Sequence, residues 1–408
     1  MAERCALLLQ GPSSTFFSHL GDALEARGAR VLRLHLSPGD ALFWRRGGGR
    51  SYRGPFADWP AFVEAFMAAE GVTDLVLLGD NRPLHRPAVD RAKAMGVRVH
   101  HVELGYVRPD WLTVEPDGGG AGAPFPADWP ALEALAARGE VPQETRLYRS
   151  SFASYAAMDV AWNLANLALS WATHPGYRRH QTWHPLAEYG GFLWKMLRAR
   201  RDRAHAARVW EAWRQGEAPL FLFPLQLRTD FQIRAHGPDP DLRETAKAVV
   251  RSFALHAPPE ARLLVKEHPV DNGLTPWRRL LRATAARHGA EDRVEVIDGG
   301  DLGAMLGRAA GLATVNSTVG LSALRRGVPV KTLGRAIFDR EGLVDPQPLA
   351  TFWSAPRPPE PGRVETFLRA LAWTSLVRGN FDGEGLAEGA ANVAERILAP
   401  RRHPDTPG

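Results

Sequence analysis

The chain has 408 residues, of which 45% are hydrophobic and 24% charged, and a formal net charge of +6. This composition is ordinary for a soluble globular protein, and the length allows two domains with a core each. Cys5 is the only cysteine, which excludes a disulfide framework and a cysteine-based zinc site. We find no signal peptide and no run of the roughly 20 apolar residues that a membrane span needs, so we expect a cytoplasmic protein.

The basic surplus comes almost entirely from arginine, because only five of the 51 basic residues are lysine. Such usage is typical of a coding bias, and the sequence contains no DNA- or RNA-binding module, so we expect no nucleic-acid partner. The positive charge is more consistent with attraction to an anionic membrane surface than with nucleic-acid binding. Two of the few lysines, Lys266 and Lys331, lie in stretches that we interpret below as part of a site.

Apolar segments of strand length alternate with helical patterns through the first hundred residues. The predicted strands are residues 6–9, 31–36, 74–78 and 97–102. This alternation predicts an α/β fold with a parallel, doubly wound sheet, whose ligands bind beyond the carboxyl ends of the strands. Four residues follow these ends and are therefore candidates for ligand contact: Gly11, Asp40, Asp80 and Glu103.

Residues 111–120 form a short extended run that carries Glu115 and Asp117 into a glycine-rich turn. Two carboxylates at such a position suit acid/base chemistry, although a plain β-turn has the same composition. The pattern from residue 151 to about 213 is helical and is interrupted by Pro175 and Pro185. We interpret it as a helical connector between two domains.

The second half repeats the strand and helix alternation. The predicted strands are residues 219–225, 262–265, 294–297 and 311–315, and the predicted helices are 242–256, 277–288, 302–309 and 321–326. We therefore predict two Rossmann-like doubly wound domains joined by a helical connector. The predicted boundaries are 1–145, 146–215 for the connector, 216–350, 351–400 for a C-terminal helical segment and 401–408 for a tail.

Three strand ends of this second half carry distinct polar groups. Gln226 and Asp230 follow its first strand, and Lys266 and His268 follow the second. Residues 316–318, Asn-Ser-Thr, precede a helix whose first N–H groups suit an anion such as a nucleotide phosphate. Each of these segments also has a plain structural interpretation as a helix cap or turn.

Several fingerprints of common enzyme classes are absent from the sequence. It has no P-loop, no G-x-G-x-x-G after a strand, no G-x-S-x-G and no H-E-x-x-H. This argues against P-loop kinases, dehydrogenases of the Rossmann type, α/β-hydrolases and zincins. Two Rossmann-like halves without these motifs fit a two-domain GT-B-like glycosyltransferase, whose C-terminal half binds the sugar nucleotide.

A combination of motifs resembles the bacterial capsule polysaccharide biosynthesis and export family, in its KpsS-like branch. The motifs are residues 11–17, 39–44, 108–118, 224–233, 266–269 and 316–324. The resemblance extends over residues 7–377 and implies a β-Kdo transferase that uses CMP-Kdo. It also implies a phosphatidylglycerol-type lipid acceptor at the cytoplasmic face of the inner membrane, where other capsule assembly proteins are possible partners.

The resemblance assigns roles to individual residues. Donor and product are both β-glycosides, so the configuration is retained, which calls for a nucleophilic carboxylate and an acid/base carboxylate. The family's nucleophile corresponds to Asp230, and its acid/base residue to Glu115, with Asp117 as the substitute. The residues expected to bind the donor are Gln226, Lys266, His268, Asn316, Ser317, Thr318 and Gly320. No metal and no cofactor is implied.

Two alternatives stay open at this point. The chain could transfer a different sugar from a CMP- or other nucleotide-activated donor, which would keep the reaction class. A non-catalytic capsule polysaccharide export factor would differ in class, because mutation of Glu115 or Asp230 would then leave export intact.

Overall fold

The computed structural model describes residues 4–179, 183–227 and 237–400. The chain divides into two compact units. The first consists of Met1–His180 and Leu368–Gly408, and the second consists of Gln181–Phe367. Each unit is described separately below.

A seven-stranded sheet forms the centre of the first unit, in the order β12-β6-β5-β4-β1-β2-β3. Its strands are β1 (Cys5–Leu8), β2 (Arg30–His35), β3 (Arg50–Ser51), β4 (Asp74–Leu78), β5 (Arg98–Leu104), β6 (Trp111–Pro116) and β12 (Leu376–Arg378). Strands β1 to β5 pair in parallel, as the alternation of strands and helices predicts. Strand β6 is antiparallel to β5 and to β12. Only residues 105–110 join β5 to β6, and a parallel crossover needs a longer connection.

A five-stranded, wholly parallel sheet forms the centre of the second unit, in the order β11-β10-β7-β8-β9. Its strands are β7 (Leu220–Pro224), β8 (Arg262–Lys266), β9 (Val294–Ile297), β10 (Gly311–Thr314) and β11 (Val330–Thr332). Both units thus have Rossmann-like α/β sheets, and the predicted fold class is confirmed. The strand ends of β7, β8 and β10 lie next to one another because β7 pairs with both neighbours.

Helices cover the sheets of both units. Those of the first unit are α1 (Phe16–Glu25), α2 (Pro38–Phe43), α3 (Trp59–Ala69), α4 (His85–Ala94), α5 (Trp129–Ala136), α6 (Phe152–Thr173) and α14 (Leu386–Leu398). Those of the second unit are α7 (Pro185–Arg214), α8 (Leu242–His256), α9 (Trp277–Ala286), α10 (Leu302–Arg308), α11 (Val319–Leu324) and α12 (Leu349–Phe352). Helix α13 (Arg363–Thr374) crosses the boundary between the two units. The helical pattern from residue 151 to 213 consists of α6 and α7.

Successive residues of the central strands point to opposite faces, and both faces are buried. In β1, Leu7 packs with Trp59 on one side of the sheet, whereas Leu8 packs with Phe16 on the other. In the second unit, Phe221 and Trp353 pack in a T-shaped arrangement within the core. Burial on both faces explains the continuous apolar strands of the sequence. Among the helices of the described ranges, none is long and apolar enough to cross a bilayer.

Candidate functional site

Three of the predicted segments lie at one edge of the sheet in the second unit. Gln226 follows β7, Lys266 is the last residue of β8, and residues 316–318 follow β10. Strand β7 pairs in parallel with β8 on one side and with β10 on the other. The three carboxyl ends are therefore neighbours, at the edge where α/β sheets bind their ligands.

Gln226 and Asn316 form a reciprocal pair. The side-chain Nε2 of Gln226 donates a hydrogen bond of 2.8 Å to Oδ1 of Asn316. The backbone N–H of Asn316 donates one of 3.1 Å to Oε1 of Gln226. Gln226 is buried, so this pair holds the turn after β10 in a defined position relative to β7.

Lys266 is buried at the end of β8. Burial lowers the pKa of its ammonium group, the nearby carboxylate of Asp298 opposes this change, and the charge of Lys195 adds to it. Lys195, on α7, forms a 3.1 Å ion pair with Asp298 and donates a hydrogen bond of 3.3 Å to the carbonyl oxygen of His268. The His268 ring accepts a bond of 3.3 Å from the backbone N–H of Val270. Helix α7 therefore holds this strand end in place.

Glu267 lies between the two predicted residues of this strand end. Burial raises the pKa of its carboxyl group to about 8, and the negative charges of Asp298 and Asp271 act in the same direction. A carboxyl group with this pKa is largely protonated at neutral pH, so it adds little negative charge beside Lys266.

The turn after β10 is ordered mainly by its own hydroxyl groups. The backbone N–H of Ser317 donates a bond of 3.2 Å to Oγ1 of Thr314, and Oγ of Ser317 accepts one of 3.3 Å from the N–H of Val319. Thr318 is the N-cap residue of α11 and makes no side-chain capping bond to the described residues. Helix α11 begins at Val319 and ends at Leu324, two residues earlier at each end than the predicted helix 321–326.

Gly320 lies in the first turn of α11 against the ring of Phe338. A Cβ atom at this position would lie 2.6 Å from Cζ of Phe338, closer than carbon atoms pack. This contact explains why the position carries glycine. The packing gives Gly320 a structural role, and its predicted part in donor binding stays a prediction.

Glu115 lies near the end of β6 in the first unit and is 1% exposed. The hydroxyl group of Tyr106 donates a hydrogen bond of 2.7 Å to its Oε1, and the backbone N–H of Gly120 donates one of 3.0 Å to its Oε2. Both donors come from the turns that flank β6. They hold the carboxyl group in one orientation.

The surroundings of Glu115 bring the pKa of its carboxyl group close to neutral pH. Burial raises its pKa from 4.5 to about 8, and the charges of Glu103 and Asp80 contribute in the same direction. The hydrogen bonds from Tyr106 and Gly120 oppose this change without cancelling it. A group with a pKa near the working pH can both give and take a proton, which is the requirement for general acid/base catalysis.

Asp117 has a different environment. Its backbone has a positive φ of 58°, and its N–H donates a bond of 3.0 Å to the carbonyl oxygen of Val99. A side chain of this kind can adopt the left-handed conformation that a tight turn requires. The buried carboxyl group of Glu115, with its raised pKa, fits the acid/base role. Asp230, the predicted nucleophile, lies outside the described residues.

Sequence reasoning missed Tyr106 and His101 as neighbours of Glu115. His101 lies opposite Glu115 in the β5–β6 pairing, and neither ring nitrogen makes a hydrogen bond with the described residues. Burial lowers the pKa of His101 to about 4, so the ring is neutral. The position of Tyr106 between two predicted extended runs could have indicated the contact. Nothing in the local sequence specifies the burial of His101.

Comparison with known proteins identifies the family. The family described as "Capsule polysaccharide biosynthesis protein" matches residues 73–382. The chain belongs to this family. The capsule polysaccharide modification protein LipB of Neisseria meningitidis serogroup A is 31% identical over 385 residues, which covers 92% of this chain and 91% of LipB. The family resemblance that the motifs predicted is confirmed.

Two further proteins complete the comparison. The capsule polysaccharide export protein KpsS of Escherichia coli is 28% identical over 358 residues, which covers 87% of this chain and 90% of KpsS. Among solved structures, the β-Kdo 2,7-transferase of Thermosulfurimonas dismutans KpsC aligns with a TM-score of 0.44 and 14% identity. The alignment covers 96% of this chain and 99% of that one.

Proposed function

We propose that this member of the capsule family is a retaining glycosyltransferase. It transfers β-Kdo from CMP-Kdo to a phosphatidylglycerol-type lipid at the cytoplasmic face of the inner membrane. Family membership supports a step in capsular polysaccharide biosynthesis. The observation that carries the catalytic part is the buried carboxyl group of Glu115, held by Tyr106 and with a pKa of about 8.

In the proposed mechanism, a carboxylate of Asp230 attacks the anomeric carbon of Kdo, and CMP leaves with the bonding electron pair. The acceptor hydroxyl group then attacks the same carbon and gives its proton to Glu115, while the bond to Asp230 breaks. Two inversions give net retention. The pKa of Glu115 supports this role, because both of its protonation states are accessible near neutral pH.

On the donor side, we propose that Lys266, His268 and residues 316–320 bind the phosphate of CMP and the carboxylate of Kdo. Gln226 would position Asn316 through the pair described above. We assign the nucleotide-sugar site to the proposed domain 216–350 and the acceptor to the proposed domain 1–145. Lys266 supports the first assignment because it is a buried cation at a strand end.

The test is a transfer assay with CMP-Kdo generated in situ, with and without lysophosphatidylglycerol. We expect CMP release to depend on the acceptor. Asp230→Ala should abolish transfer and keep CMP binding. Glu115→Gln should slow transfer by roughly 10²- to 10⁴-fold, and Asp117→Asn, the matched carboxylate-to-amide change in the same turn, should retain activity.

Other outcomes would change the proposal. Wild-type activity of Asp230→Ala would exclude the covalent mechanism. Transfer from a different CMP- or nucleotide-activated sugar would keep the reaction class and change the donor. Absence of both turnover and CMP binding, with capsule export intact in the Glu115→Gln and Asp230→Ala variants, would favour the export factor that the name of KpsS suggests.

A further inference from the structure

Helix α7 exposes an apolar surface that the second unit does not cover. Five of its large apolar side chains are more than half exposed, up to 73% for Met196 and 72% for Leu197. These residues are Leu186, Leu193, Trp194, Met196 and Leu197. They lie within twelve consecutive residues of one helix, whereas the exposed apolar residues of a soluble monomer are usually scattered singly over its surface.

The exposed residues share one side of the helix. At about 100° per residue, Leu186, Leu193 and Leu197 fall within roughly 40° of one another around the helix axis. Trp194 and Met196 lie on either side of that line. The five side chains therefore project from one side of α7, and the first half of the helix presents an apolar ridge to the solvent.

The opposite side of α7 is attached to the unit. Gly191 packs so closely on the carbonyl oxygen of Asn272 that a Cβ atom would not fit. Lys195, on the same side, pairs with Asp298 and bonds to the carbonyl oxygen of His268. These contacts fix the orientation of the helix, so the apolar ridge is exposed because of how α7 is packed.

Basic residues follow the ridge toward the end of α7. Arg200, Arg201 and Arg208 lie on the same side of the helix, within roughly 60° of Leu186 around the axis. None of the three arginines forms an ion pair with the residues that the structure describes. The whole helix contains seven lysines and arginines against three acidic residues. Helix α6 of the first unit also exposes apolar residues, yet it contains no lysine or arginine.

We propose that this face of α7 docks the chain onto a lipid bilayer that contains anionic lipids. Leucine, tryptophan and methionine on an exposed helix face suit insertion at the level of the headgroups, and arginines beside them suit contact with lipid phosphates. The charge of the helix complements an anionic surface. None of the residues of this face is among the proposed catalytic or donor-binding residues, and its function does not depend on the identity of the sugar donor.

The test is sedimentation of the full-length chain with vesicles, in the absence of any donor. We expect binding to vesicles of phosphatidylglycerol and phosphatidylcholine, and weaker binding at high salt. The double change Leu193→Ser and Leu197→Ser should reduce the partition coefficient by at least about tenfold. Arg200→Gln with Arg201→Gln should reduce it by roughly 25-fold on anionic vesicles, at about fivefold for each arginine, and have little effect on pure phosphatidylcholine.

A matched control is available on helix α8, where Leu255 is 60% exposed and Arg251 is also exposed. Leu255→Ser with Arg251→Gln should bind vesicles like the wild type. Equal binding by the wild type and the α7 variants would overturn the proposal, as would no binding by the wild type. Self-association of the wild type that the leucine changes abolish, without vesicle binding, would identify the ridge as a protein interface and also overturn it. The vesicle assay measures no turnover, so a failure to bind vesicles does not bear on the proposed reaction. Loss of transfer in Asp230→Ala likewise does not bear on vesicle binding.

Discussion

Replacement of Glu115 by glutamine tests the electrostatics of its site without any assumption about activity. In the native state the pKa of Glu115 is about 8, against an ordinary value of 4.5 that we take for the unfolded chain. Between these two pH values the native protein holds a proton that the unfolded chain has lost. The free energy of unfolding therefore falls as pH rises through this window, by at most about 1.4 kcal/mol per pH unit.

The full contribution is about 5 kcal/mol, because 1.36 kcal/mol applies over about 3.5 pH units. Glutamine cannot ionise, so Glu115→Gln lacks this pH dependence. Its amide can accept from the N–H of Gly120 and donate to the hydroxyl oxygen of Tyr106, so the local geometry is preserved. The stability of the variant relative to the wild type should therefore increase with pH, by about 3 to 4 kcal/mol between pH 5 and pH 8.

The assay is urea unfolding of both proteins at several pH values, followed by tryptophan fluorescence. The difference between variant and wild type isolates Glu115, because Glu267 and all other groups titrate in both proteins. The matched control is Glu140→Gln, which makes the same chemical change at an exposed position of the first unit. A difference in unfolding free energy that does not vary with pH, or that falls as pH rises, would refute the reasoning.

Three further changes test other contacts. Tyr106→Phe removes a hydrogen bond to a buried carboxylate, worth roughly 1.5–3 kcal/mol, so the pKa of Glu115 should rise by about 1–2 units. If Glu115 takes the acceptor's proton, the acidic limb of the pH–rate profile for transfer should move upward by the same amount, and an unmoved limb would contradict this assignment. Gly320→Ala should destabilise the second unit by about 1–3 kcal/mol in urea unfolding, because its Cβ meets Phe338, and Phe338→Leu should recover part of the loss. Lys266→Met should weaken CMP binding by about tenfold or more in calorimetry, through loss of a charge-assisted hydrogen bond, and unchanged affinity would remove Lys266 from the donor site.

Local sequence patterns were sufficient to predict the fold class and the position of several polar residues. Apolar runs of four to seven residues followed by helical patterns specify βα units, and the polar residues after each run therefore lie at the carboxyl ends of strands. Gln226, Lys266 and residues 316–318 were located in this way. The antiparallel β6 and the return of β12 to the first sheet were not predicted, since β12 pairs with a strand more than 260 residues earlier in the chain.

Properties that depend on the surroundings of a side chain were decided by the tertiary structure. The pairing of Gln226 with Asn316 joins residues 90 positions apart, and no local pattern encodes it. The raised pKa of Glu115 arises from burial and from the charges of Glu103 and Asp80, which come from neighbouring segments of the chain. The exposure of the apolar ridge on α7 depends on which side of the helix the unit covers. Sequence periodicity determines which residues share a face, whereas burial, pKa and exposure depend on the atoms that the folded chain places around that face.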